Sequence, residues 1–183
     1  MRLAPVLENS CTPLIQSWIT AANAIYPFAT TGFLRSQQDP FANPVGRRSA
    51  DLAPLLCRAV IGLPHDGAAL RAALEEFVRV RAMQDLPAET SLEALFAYKG
   101  IIRASLKEQG LELTAADREE LEAMDARCDS LALLAFGMYT RLRETFFEAR
   151  VQDVRRRHSQ ILRLAERHGL AESVPEPDGG ETS

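Results

Sequence analysis

Arg81, Gln84 and Asp85 stand where a helix should turn apolar residues towards a core. The stripe ahead of them is Leu70, Ala73, Leu74 and Phe77, and helical spacing carries it onto those three polar side chains. A charge at an inward position is costly unless paired, so the cluster reads as a structural polar network or as a binding site. Lys99 sits at the centre of a second apolar stripe. Asp125, Asp129, Tyr139 and Arg143 run along one edge of a long C-terminal helix. Two readings stay open. In one, ion pairs lock helices in register, with Asp129 or Asp85 as the carboxylate for Arg81. In the other, Arg81 and Lys99 hold a small anionic ligand.

Patterns for catalysis are missing. There is no glycine-rich phosphate loop, no His–Glu helix pair and no nucleophile elbow. His65, His158 and His168 do not cluster, and none falls in the expected globular core, so axial haem ligation by histidine has no support. Cys11, Cys57 and Cys128 are far apart and lack metal-ligand or redox spacing. Their apolar surroundings suggest buried free thiols. A redox-sensing thiol is the sharper reading, with Arg58 and Arg127 next to two of them. No catalytic residue, metal or cofactor is expected.

The bulk properties narrow the class further. A chain of 183 residues, 46% apolar and 25% charged, suits one domain with an extension. The net charge of −4 gives no general reason to bind nucleic acid. No apolar run is long enough for membrane insertion. Pro5, Glu8 and Asn9 interrupt what would be the apolar stretch of a signal peptide, so the cytoplasm is the expected compartment.

The elements that must position these residues are all helical, because 3.6-residue periodicity recurs almost throughout and strand alternation is absent. The first helix is expected to be capped by Thr12 and to run to about Tyr26, with Leu14, Ile15, Trp18 and Ile25 inward; a start near Pro5 with a kink at Pro13 is the alternative. Phe28 to Gly46 reads as a loop, with a turn near Phe33–Leu34 and Phe41 as a plug into the core. A helix over Arg47 to Ile61 follows, broken by Gly62-Leu63-Pro64. Asp66 caps the next, which ends near Asp85. Pro87 or Ala88 opens another, with Leu92, Leu95, Phe96, Ile102 and Leu106 as its core stripe and Gly110 at its end.

Thr114 and Asp117 form a capping-box-like start for the last helix. Its pattern continues to about His168, roughly 80 Å if unbroken. Leu121, Met124, Cys128, Leu131, Leu134, Ala135, Met138 and Leu142 form a core stripe. Beyond Leu142 only a narrow seam remains, Phe147, Val151, Val154, His158, Ile161 and Ala165, surrounded by arginines. Its four–three spacing is that of a coiled-coil seam, so this half is expected to project as a dimer stalk. His158 reads as a tolerated polar residue or a pH-sensitive register element. The expected organisation is a helical sensory domain over 1–145, a stalk over 146–169 and a disordered acidic tail over 170–183.

Several of these residues also carry a family resemblance. Phe41-Ala42-Asn43-Pro44-Val45-Gly46 precedes Val78-Arg79-Val80-Arg81-Ala82-Met83-Gln84-Asp85, and Leu95-Phe96-Ala97-Tyr98-Lys99-Gly100-Ile101-Ile102 follows. With Asp129, Tyr139 and Arg143, this order and spacing resembles the RsbRD-type N-terminal domain over Leu7 to Arg157. That is the sensory module found ahead of a STAS domain in bacterial stressosome proteins. The resemblance implies an all-α, globin-like or bundle-like sensor with a long C-terminal helix that binds no haem, dimerises and signals through that helix. The chain ends soon after it, so the expectation is a stand-alone, non-enzymatic input module that acts by binding a protein partner as a homodimer. A structural adaptor that senses nothing is the second reading, and an enzyme the third.

Overall fold

The structure, a computed structural model, describes residues 2–26 and 44–167, without the side chains of Pro44, Ala165 and Glu166. Every regular element among them is helical: α1 Leu3–Asn9, α2 Cys11–Asn23, α3 Pro44–Ile61, α4 Gly67–Met83, α5 Ala88–Glu108 and α6 Ala115–Arg167. The chain divides into two compact units, Met1–Arg143 and Glu144–Ser183. No described helix is long and apolar enough to cross a membrane.

Within the first unit, α3 packs on α2 and α4, α5 packs on α2 and α4, and α1 packs on α2 and α3. Leu14, Trp18, Leu52, Leu56, Leu74, Phe77, Leu95 and Tyr98 meet in the middle, each nearly or wholly buried. Burying one such side chain stabilises the fold by about 1.5–3 kcal/mol. Leu121, Met124, Cys128, Ala132, Ala135 and Met138 form the buried face of α6, at steps of three and four.

The helix ends follow local chemistry. Asp66 accepts from Ala68 N and Ala69 N at 2.8 and 3.0 Å, which caps α4. Thr114 and Asp117 bond reciprocally: Thr114 N donates to Asp117 Oδ2 at 2.8 Å, and Asp117 N to Thr114 Oγ1 at 3.3 Å. Gly62 ends α3 at φ +88, and the amides of Gly62 and Leu63 both return to the Arg58 carbonyl.

Four expectations need correction. The N-terminal helix breaks at Ser10, not at a Thr12 cap, so Pro13 lies in the first turn of α2, where its missing N–H is harmless. Pro44, Val45 and Gly46 open α3 instead of closing a loop, because proline is preset for a first helical turn. On α5, Phe96 is 47% exposed and Tyr98 takes the interior position. Gln84 and Asp85 point outwards, because α4 ends at Met83 and the stripe stops with it. The end of the first helix at Pro27, the loop over 28–43 with its Phe41 plug, the stop at Gly169 and the tail lie outside the described residues.

Candidate functional site

Arg81 lies in the last turn of α4 with no exposed surface. Its guanidinium carbon is 3.6 Å from the centroid of the Phe77 ring, one turn back on the same helix. Nη2 donates to the Ala22 carbonyl at 2.8 Å, Nη1 makes a long 3.5 Å contact with the Phe77 carbonyl, and Nε has no partner. Ala22 precedes the last residue of α2, so its carbonyl is one that the helix leaves unpaired at the negative end of its dipole. Burial pulls the Arg81 pKa down to about 10, opposed by the nearby Tyr26 hydroxyl, so the side chain stays cationic at neutral pH. The expected carboxylate, Asp129 or Asp85, is replaced by a helix terminus and an aromatic face.

The other expected members form separate pairs around it. Tyr26 donates its hydroxyl to Gln84 Oε1 at 2.7 Å. Asp85 adopts a left-handed conformation at φ 57 just past α4 and ion-pairs with Arg143, which also donates to the Ala82 carbonyl at 3.3 Å. Tyr139 donates to the Leu86 carbonyl at 2.6 Å. Lys99 is half-buried and reaches Asp129 at 2.5 Å, and Arg103 grips Asp125 at 2.5 and 2.9 Å. Hydrogen bonding to these carboxylates raises the Lys99 and Arg103 pKa values. Arg81 and Lys99 therefore spend their donors on different partners, and no shared anion cradle joins them. Together the ties run along α6 from Asp125 to Arg143 and fasten it to α5 and to the α4–α5 turn.

Three further ties were not legible as such. Glu120 accepts the amides of Arg2, Leu3 and Ala4 at 2.9 to 3.1 Å and so caps α1 from α6. Arg2 ion-pairs with Asp117. Hydrogen bonds from Thr114 and Arg2 hold the Asp117 pKa at about 2. Burial pushes Glu120 up, but the three amides outweigh it and its pKa is lowered. Arg127 donates to the Val60 carbonyl at 3.2 Å.

At the centre, Trp18 lies 5.5 Å from Phe77 and 5.9 Å from Tyr98, ring centre to ring centre, and donates to the Ala94 carbonyl at 2.7 Å. The Tyr98 hydroxyl has no hydrogen bond of normal geometry; burial, then the nearby Cys57 thiol, raises its pKa. Cys57 lies 3.3 Å from Cys11, sulfur to sulfur. All three cysteines are free.

Ala88, Leu92, Phe96, Ala132, Leu133 and Phe136 line an open groove of about 630 Å³ between α5 and α6. Among the described residues, no group of three or more His, Cys, Asp or Glu side chains could hold a metal ion. In the second unit, Phe147, Val154 and Ile161 are 67, 61 and 63% exposed, Val151 is half-buried and His158 is exposed. The Ala165 side chain lies outside the described residues.

The family model for the RsbT co-antagonist protein rsbRD N-terminal domain matches residues 12–157. No curated protein matches the chain. No solved structure matches it.

Proposed function

Because the chain belongs to the family of RsbT co-antagonist protein rsbRD N-terminal domains, which are stressosome-type sensory domains, we propose that it is a non-enzymatic regulatory module of the cytoplasm. In this reading it works as a homodimer and passes its state to a protein partner through α6. The observation that carries it is the seam of Phe147, Val151, Val154 and Ile161, in which Phe147, Val154 and Ile161 are left largely in solvent and Val151 is half-buried. Apolar residues at four–three spacing gain little unless another helix covers them. A second copy supplies that helix across a two-fold axis and keeps both C-termini on the same side. Arginines at 150, 155, 156, 157 and 163 repel across such a pair, so association should tighten as salt screens them.

Truncation after Arg143 tests this reading. Sedimentation should show the full chain as a dimer and the shortened chain as a monomer. An unchanged oligomeric state would remove the stalk as the dimerisation element.

The sensing component rests on Arg81, a buried cation that meets no carboxylate among the described residues. A small anion is the ligand that its charge would favour. The structural adaptor remains the second reading, favoured by the pairing of Lys99, Arg103 and Arg143 with carboxylates of their own. Thermal melts with phosphate and with small dicarboxylates separate the two, since a ligand that binds only the folded state must raise the melting temperature.

A further inference from the structure

Cys11 and Cys57 are 46 residues apart in sequence, yet their sulfurs lie 3.3 Å apart. Cys11 opens α2 and is half-buried; Cys57 lies in α3 with no exposed surface. The third cysteine, Cys128, is 1% exposed. One thiol of the pair is therefore within reach of a small solute, and its neighbour is already in place behind it. We propose that Cys11 and Cys57 form a redox pair that a peroxide closes to a disulfide, stapling α2 to α3.

The division of labour follows from the environments. Burial, and then the Cys11 thiol beside it, pushes the Cys57 pKa up to about 12, so Cys57 is a poor first nucleophile. Cys11, the more accessible thiol, reacts first. Its thiolate attacks one peroxide oxygen, the O–O bond breaks, and the hydroxide released takes a proton to leave as water. Cys11 is then a sulfenic acid. The Cys57 sulfur attacks Cys11 Sγ and displaces hydroxide, which departs as water with the Cys57 proton. The two thiols lose two electrons and two protons, and the peroxide becomes two waters. Closing the bond to about 2.05 Å needs only a small approach of the sulfurs. A dithiol reductant reverses the change by thiol–disulfide exchange.

The consequence reaches the core. Cys57 neighbours the Tyr98 hydroxyl, and Tyr98 stacks on Trp18. A cross-link at this point also limits the unfolded chain, which raises stability. This inference does not depend on the dimer or on any anion at Arg81.

The test uses the full chain treated with one equivalent of hydrogen peroxide. Intact mass should fall by two hydrogens, and peptide mapping without reductant should join Cys11 to Cys57 with Cys128 still free. The melting temperature should rise by roughly 5–15 °C and return on reduction. Cys11→Ser should abolish the cross-link. Cys57→Ala should leave a Cys11 sulfenic acid that dimedone traps. A link between Cys11 residues of two copies, conversion of wild-type Cys11 to sulfinic acid without a link, or an unchanged melting temperature would overturn the proposal.

Discussion

Arg81 closes the end of a helix to which it does not belong: its Nη2 donates to the Ala22 carbonyl at the C-terminal end of α2 at 2.8 Å. The charge thus works as a capping group inside the core. Removing it leaves a cavity over Phe77 and an unpaired buried carbonyl. Arg81→Ala should destabilise the protein by about 3–5 kcal/mol. Arg81→Met fills most of the volume and leaves only the carbonyl bare, at about 1–3 kcal/mol. Urea denaturation of both variants checks the order, and a methionine variant less stable than the alanine variant would contradict the capping role.

Acid should loosen the junction of α1 with α6. Asp117 and Glu120 both have folded pKa values below their ordinary values of 3.8 and 4.5, with Asp117 near 2. Depressed carboxylates stabilise the fold above their unfolded pKa, and that contribution is lost as the pH falls through the folded one. The loss should therefore run from about pH 4.5 down towards 2. Glu120→Gln should be less stable than wild type at neutral pH, and the gap should narrow through that window. Equilibrium unfolding at a series of pH values measures it, and a constant gap would sink the assignment.

Gly62 and Gly110 both have positive φ, at +88 and +66, but their surroundings differ. A Cβ on Gly110 meets nothing within 4 Å, whereas one on Gly62 comes to 3.0 Å from the Arg127 guanidinium. Gly110→Ala should cost about 1 kcal/mol, the backbone term alone. Gly62→Ala should cost more, because Arg127 must also move from the Val60 carbonyl. Thermal melts of the pair decide the point, with equal losses excluding the Arg127 contribution.

What the sequence made legible were features carried by neighbours along the chain. The Asp66 cap, the Thr114–Asp117 box and the glycine at 62 are local chemistry, and all three stand. The inward position of Arg81 was legible because the apolar stripe still runs where it sits. Gln84 and Asp85 were not, because spacing says nothing about the residue at which a helix stops. The partners of Arg81, Lys99 and Glu120 depend on which helix ends meet in space. Cys11 and Cys57 looked unrelated for the same reason: only the packing of α2 on α3 brings them together.

The chain has a single tryptophan, and Trp18 lies fully buried between Phe77 and Tyr98. Its two ring neighbours lead to the two features of most interest, Arg81 on one side and the thiol pair on the other. One indole therefore serves as a built-in optical probe of both. Its emission should be blue-shifted, as befits a dry site. Charge lost from the Arg81 end and oxidation at the cysteine end should each alter its intensity, so both events can be followed in the same cuvette without attaching a dye.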